Sequence, residues 1–194
     1  KDFSEFYPMI PYQLDLLQQV FTKIRENSSA GKHFASGERN LLGAVQYAAL
    51  EYAEKDLGIL IPFQTFYGHL DQGLDHSVRA TIIKAQSTPT LQSFDVDVLK
   101  VLYLIRYLKS VPSTVENITT LMLDELDADR LKLTENITAA LDRLTKEYLV
   151  QRTGLEYLFL TNEEQDINRE INHMDIPTSK MQSYIGEMIY DTVL

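Results

Sequence analysis

Between residues 94 and 161 the chain runs through three amphipathic segments and then two short alternating ones, an order that few folds accommodate. The first segment, FDVDVLKVLYLIRYLKSV, repeats apolar residues at steps of three and four, the mark of a helix with one buried face. Pro112 breaks it, because proline lacks the amide hydrogen and clashes with the preceding turn. TVENITTLMLDEL and TENITAALDRLTKEYL repeat the pattern. VQRTGLEYLFLT then places two apolar arms around Gly154, a residue that supplies the positive φ of a tight hairpin at no steric cost. Three helices closed by a two-stranded ribbon predict a winged helix-turn-helix, a docking module rather than a catalytic centre.

Within it, Asp95 is expected to cap the first helix, whose Val98, Leu99, Leu102, Ile105 and Leu108 point inward. The second helix is expected over 114–126, with Ile118, Leu121 and Met122 inward. Thr134 is a good N-cap residue for a third helix, in which Ile137, Leu141, Leu144 and Tyr148 share a face. Strands follow at 149–153 and 157–161. Thr161-Asn162-Glu163-Glu164 fits a capping box, so a helix is expected directly after the hairpin.

The first half reads as helical. Pro8 and Pro11 set a turn that leads into a helix over 12–26. Residues 27–37 are turn-rich and read as a loop. A helix over 38–56 is expected to bury Leu41, Leu42, Val45, Ala48, Ala49 and Tyr52, with Gly58 as its stop. An apolar strap at 59–61, a short helix near 63–67 and a longer one over 71–86 complete this half. Ser87-Thr88-Pro89-Thr90 is polar and turn-forming and reads as a linker. The expected fold class is therefore mainly α. A helical domain spans 1–90, the winged-helix domain 91–171, and a helical tail 172–194, with 181–193 a weakly amphipathic helix.

At 194 residues and 44% hydrophobic content the chain has room for one or two packed domains. No run of eighteen apolar residues exists to span a membrane, and KDFSEFYPM lacks the layout of a signal peptide. The first residue is Lys1 rather than Met, which reads as a piece of a longer protein or a trimmed form. With no cysteine, disulfides and thiolate metal sites are excluded, and a cytoplasmic setting is expected. Charge is uneven. Residues 1–90 carry 8 basic and 10 acidic side chains, and residues 91–194 carry 10 and 18. Attraction to phosphate is the main non-specific force in nucleic-acid binding, and here the DNA-binding-like half is the acidic one.

Catalytic signatures are missing. Gly31-Lys32 is the only Gly-Lys pair, but Glu26 stands where a P-loop needs its first glycine and His33 where it needs Ser or Thr. His33, His69, His76 and His173 form no ligand run, so surface or capping roles outweigh metal binding. No G-x-S-x-G occurs. Asp127/Asp129 and Glu163/Glu164 suit a turn and a helix start better than a glycosidase pair.

Arg39 opens a helix after a Gly-containing loop, where a cation gains nothing from the helix dipole. It is either an exposed arginine paired to Glu38 or Asp2, or a guanidinium offered to an anionic ligand such as a nucleotide phosphate. For DNA reading the third helix would enter the major groove. Its Asn136 could contact adenine, and Arg143, Lys146 and, on the wing, Arg152 could contact phosphate. They are offset by Glu135, Asp142, Glu147 and Glu156. Residues 94–161 hold 8 basic and 11 acidic side chains, which favours protein docking over duplex binding.

Five stretches carry a further likeness: FYPMIPYQLDLLQQV, SGERNLLGAVQYAA, DVDVLKVLYLIRYL, NITTLMLDELDADRLKL and ALDRLTKEYLVQRTGLEYLFLTNEEQDINREI. Together they cover roughly 6–171, and they resemble the large P-loop ATPase of BREX anti-phage systems, the BrxC/PglY family. The resemblance implies an internal segment of an AAA+-type ATPase, with the Walker motifs upstream. Residues 1–90 would be the helical lid, with Arg39 as its nucleotide-sensing residue, and the winged helix an appended module. It implies no cofactor in this chain, ATP and Mg only in the longer parent, bacterial cytoplasm, and other BREX proteins as partners. The function expected is a non-catalytic regulatory segment coupling nucleotide state to partner docking. The alternatives are a winged-helix DNA-binding regulator, or a self-associating scaffold of helical stack plus winged helix.

Overall fold

The computed structural model describes residues 3–27 and 37–173. They form a mainly helical fold with one two-stranded antiparallel sheet. After α1 (Phe3–Phe6), Pro11 opens α2 (Pro11–Asn27) at the position where its missing amide hydrogen costs nothing. Gln13, itself buried, accepts from the amide of Ile10 at 2.9 Å and donates to the carbonyl of Ile61 at 2.7 Å. One amide side chain thus closes the helix start and ties it to the strap around Ile61. Leu16, Leu17, Val20, Phe21 and Ile24 form the buried stripe.

Helix α3 (Gly37–Glu51) departs from expectation in length and face. It ends five residues early, and residues 52–55 make turns. Ala44 and Ala48 are buried and Leu41 and Val45 half-buried, but Leu42 and Ala49 face out, Leu42 being 70% exposed. The helix is apolar almost all round, so spacing alone did not select the face. Close approach did: the His69 ring of α4 (Thr65–Leu70) lies where a side chain at Gly43 would begin, 2.7 Å from an ideal Cβ. Only small residues allow that contact.

The strap at 58–63 is bonded on both sides. Leu60 donates to Asp124 at 2.7 Å, Phe63 to Leu121 at 2.8 Å and Ile61 to Pro8 at 3.0 Å, while Leu126 donates to Gly58 at 2.9 Å. Gly58, with φ of 101°, turns the chain into it. The strap therefore joins the N-terminal turn to residues 121–126. A 3₁₀ turn at Asp71–Gly73 leads to α5 (His76–Ser87).

Helix α6 (Ser93–Ile105) buries Val98, Leu99, Leu102 and Ile105 as expected. Asp95 closes its start from the third position, not as N-cap. Gln92 is the N-cap, and the Asp95 carboxylate accepts from its amide at 3.0 Å. Helix α7 (Val115–Leu121) begins at Thr114, which accepts from the amide of Asn117, and is shorter than expected. Helix α8 (Arg130–Lys146) begins five residues before the expected start, because Asp129 accepts from the amides of Leu131 and Lys132 and outcompetes Thr134 as cap. Thr134 instead lies within the helix and donates to the carbonyl of Arg130. Ile137, Leu141 and Leu144 are buried. Tyr148 is not on that face; with φ of 59° it terminates the helix in the left-handed region, a role more often filled by glycine.

Strands β1 (Val150–Thr153) and β2 (Glu156–Phe159) pair antiparallel, Val150 opposite Phe159 and Thr153 opposite Glu156. The two-residue loop has Gly154 at φ 63°. A third segment joins the sheet edge. Tyr157 donates to Ser113 at 3.0 Å, and Thr114 bridges Glu156. Helix α9 (Asn162–His173) follows the expected capping box, with Thr161 donating to Glu164 at 2.8 Å.

The connection at 87–90 does not interrupt the core. One buried apolar cluster runs from Met9 to Phe159. Tyr103 sits at its middle, its ring 6.1 Å from Tyr67 of α4 and 5.3 Å from Phe159 of β2. Burial pushes the ionisation of both tyrosines well above the usual range. The expected loop at 27–37 falls mostly, and the helix over 181–193 wholly, outside the described residues.

Candidate docking surface

Helix α8 packs one face on α6 and α7 and leaves the other open. The open face carries Leu131, Lys132, Glu135, Asn136, Thr138, Ala139, Asp142 and Lys146. Its four charges cancel.

Of the residues expected at an interface, Asn136 and Lys146 are on this face, ten positions and so about 15 Å of helix apart. Arg152 is on the exposed strand β1. Its Nε donates to the Gly154 carbonyl at 3.1 Å and its guanidinium lies 5.7 Å from the Tyr157 ring centre, so it is folded back over the hairpin. Arg143 is elsewhere. Its Nη2 is 2.6 Å from Oδ1 and its Nε 2.7 Å from Oδ2 of Asp95, which is fully buried. Those hydrogen bonds to Asp95 raise the arginine's pKa further above its ordinary value. Arg143 therefore joins α8 to the first turn of α6. Arg39 lies in α3, and its side chain is outside the described residues. The four interface candidates do not converge on one point.

Polar residues that spacing did not single out anchor α9. Arg106, just after α6, donates through Nη1 to Phe159 O at 3.1 Å and to Glu164 Oε2 at 3.0 Å, and through Nη2 to Glu164 Oε1 at 2.5 Å. Burial alone would raise the pKa of Glu164, but the bonds from Arg106 and the Thr161 amide hold it below the ordinary glutamate value. On the neighbouring face, buried Gln165 donates to Thr81 Oγ1 at 3.1 Å and Leu160 O at 3.0 Å, and accepts from Lys84 Nζ at 2.7 Å. Burial lowers the Lys84 pKa. The Thr161–Glu164 capping box was the one sequence signal for this cluster. The α5 partners are too distant in sequence to announce themselves.

A groove of about 400 Å³ opens between the hairpin and α9, with Arg106 and Glu164 of this cluster among its walls beside Leu158, Ile167 and Ile171. Among the described residues, no group of three or more His, Cys, Asp or Glu side chains could hold a metal ion, and no helix is long and apolar enough to cross a membrane. No family model and no solved structure matches the chain.

Proposed function

We propose that residues 91–171 form a winged-helix module that docks protein rather than reading DNA, within a non-catalytic regulatory segment of a BREX-type anti-phage ATPase. The order α6, α7, α8, β1, β2 supports the winged-helix reading, as does the bonding of Ser113 and Thr114 to the outer strand of the hairpin. The observation that carries docking over DNA reading is the open face of α8, whose charges cancel while Arg143 is held by Asp95. A duplex-binding helix draws most of its affinity from cations set against phosphate.

Residues 1–90 would act as the lid of the ATPase, with Arg39 as the nucleotide-sensing residue; ATP and Mg would be held by the longer parent in the bacterial cytoplasm. Lid and module share one buried core, so a lid displaced by nucleotide would carry the module with it. Other BREX proteins are the partners proposed.

The test is co-purification of the parent ATPase with the other proteins of its system. Ala139→Trp places a bulky ring at the centre of the open α8 face without touching the core. It should abolish co-purification and leave ATP turnover intact; undiminished co-purification would contradict docking through α8.

A further inference from the structure

We propose that the groove between the hairpin and α9 receives the chain's own C-terminal segment, residues 181–193. Leu158 of β2 and Ile167 and Ile171 of α9 form the apolar floor of the groove, while Arg106, Glu164 and Asn168 are among the residues on its polar rim. Leu158 is 40% exposed, and Ile167 and Ile171 58% each. The two isoleucines lie one turn apart on a helix held from its other side by Gln165 and Thr81. That bond on the Gln165 side turns Ile167 away from α5.

The segment is chosen by its position and its pattern. Residues 174–194 follow α9 in the sequence. Met181, Tyr184, Ile185, Met188, Ile189 and Val193 recur at steps of three and four, with Gln182, Glu187 and Asp191 between them. Such a stripe matches an apolar groove as an amphipathic helix does, and unbranched methionines adapt to an irregular wall. Residues 174–180 include Asp175, Pro177, Thr178 and Ser179, which have turn chemistry. Extended, those residues reach about 24 Å. Helix α9 is about 18 Å long. The segment can therefore reverse and run back over Ile171, Ile167 and Leu158. Tethering so close gives an effective concentration of order millimolar, which a second copy at micromolar concentration does not match.

The chain has no cysteine, so an introduced pair supplies its only thiols. Ile167→Cys is combined in turn with Tyr184→Cys and with Met188→Cys. Asp166→Cys, about 100° round α9 from Ile167 and outside the groove lining, replaces Ile167→Cys in the control. Under mild oxidation at micromolar protein, at least one groove pair should form an internal crosslink about tenfold faster than its control, as tethered occupancy of one face requires. Adding Ile171→Asp, an exposed substitution, should slow that crosslink by about as much. Equal rates in groove and control pairs, a crosslink of dimer mass, or no effect of Ile171→Asp would each overturn the proposal, the dimer pointing to a second copy as the occupant.

Discussion

Arg143 grips Asp95 with two hydrogen bonds, of 2.6 and 2.7 Å, and so binds the last turn of helix α8 to the buried first turn of α6. The carboxylate also closes α6 through the Gln92 amide. Removing the arginine leaves a fully buried charge with one remaining partner. Breaking a buried pair from one side costs about 3–5 kcal/mol, and the partial exposure of Arg143 places Arg143→Ala near the lower end. Urea unfolding of the variant measures it. A change confined to partner binding, with stability intact, would mean that Arg143 belongs to the interface.

Leu141 is fully buried on α8. Leu141→Ala should destabilise the chain by about 2–5 kcal/mol, as large-to-small core changes do. An unchanged unfolding midpoint would put the inward face of α8 elsewhere.

Glu164 carries a pH dependence with a defined sign. Its folded pKa is held below the ordinary value by Arg106 and Thr161 against the opposing effect of burial. Its contribution to stability is therefore complete above the unfolded glutamate pKa of about 4.3 and disappears as pH falls through the lower folded value. Glu164→Gln should flatten the acid limb of the stability curve below about pH 5. Superimposable wild-type and variant curves from thermal melts would refute this.

Gly43 faces the His69 ring across the α3–α4 contact, with no room for a methyl group at 2.7 Å. Gly43→Ala should cost about 1–3 kcal/mol through overpacking. His69→Ala in the same chain should recover part of it, a non-additivity that a double-mutant cycle on melting free energies reads directly.

Some elements were legible because local chemistry and burial agreed. Thr161 and Glu164 marked a helix start that tertiary packing had no reason to move, and Gly154 marked the hairpin. The starts of α6 and α8 were misplaced because two capping residues competed at each, Gln92 with Asp95 and Asp129 with Thr134. Sequence does not rank such neighbours. The buried face of α3 was half misread because apolar residues surround the helix, and the close approach of the His69 ring to Gly43 is a long-range contact that spacing does not show. Among the site residues, Arg143 looked like a surface cation because its partner, Asp95, is 48 residues away. The Lys84–Gln165–Thr81 cluster was hidden for the same reason.

Fluorescence anisotropy of labelled duplex DNA titrated with the purified chain separates the two roles of α8. At about 50 mM salt, where phosphate contacts are strongest, docking without DNA reading predicts no saturable rise in anisotropy at micromolar protein. Saturable binding that weakens steeply towards about 200 mM salt, and that Lys146→Glu abolishes, would contradict it and make α8 a DNA-reading helix.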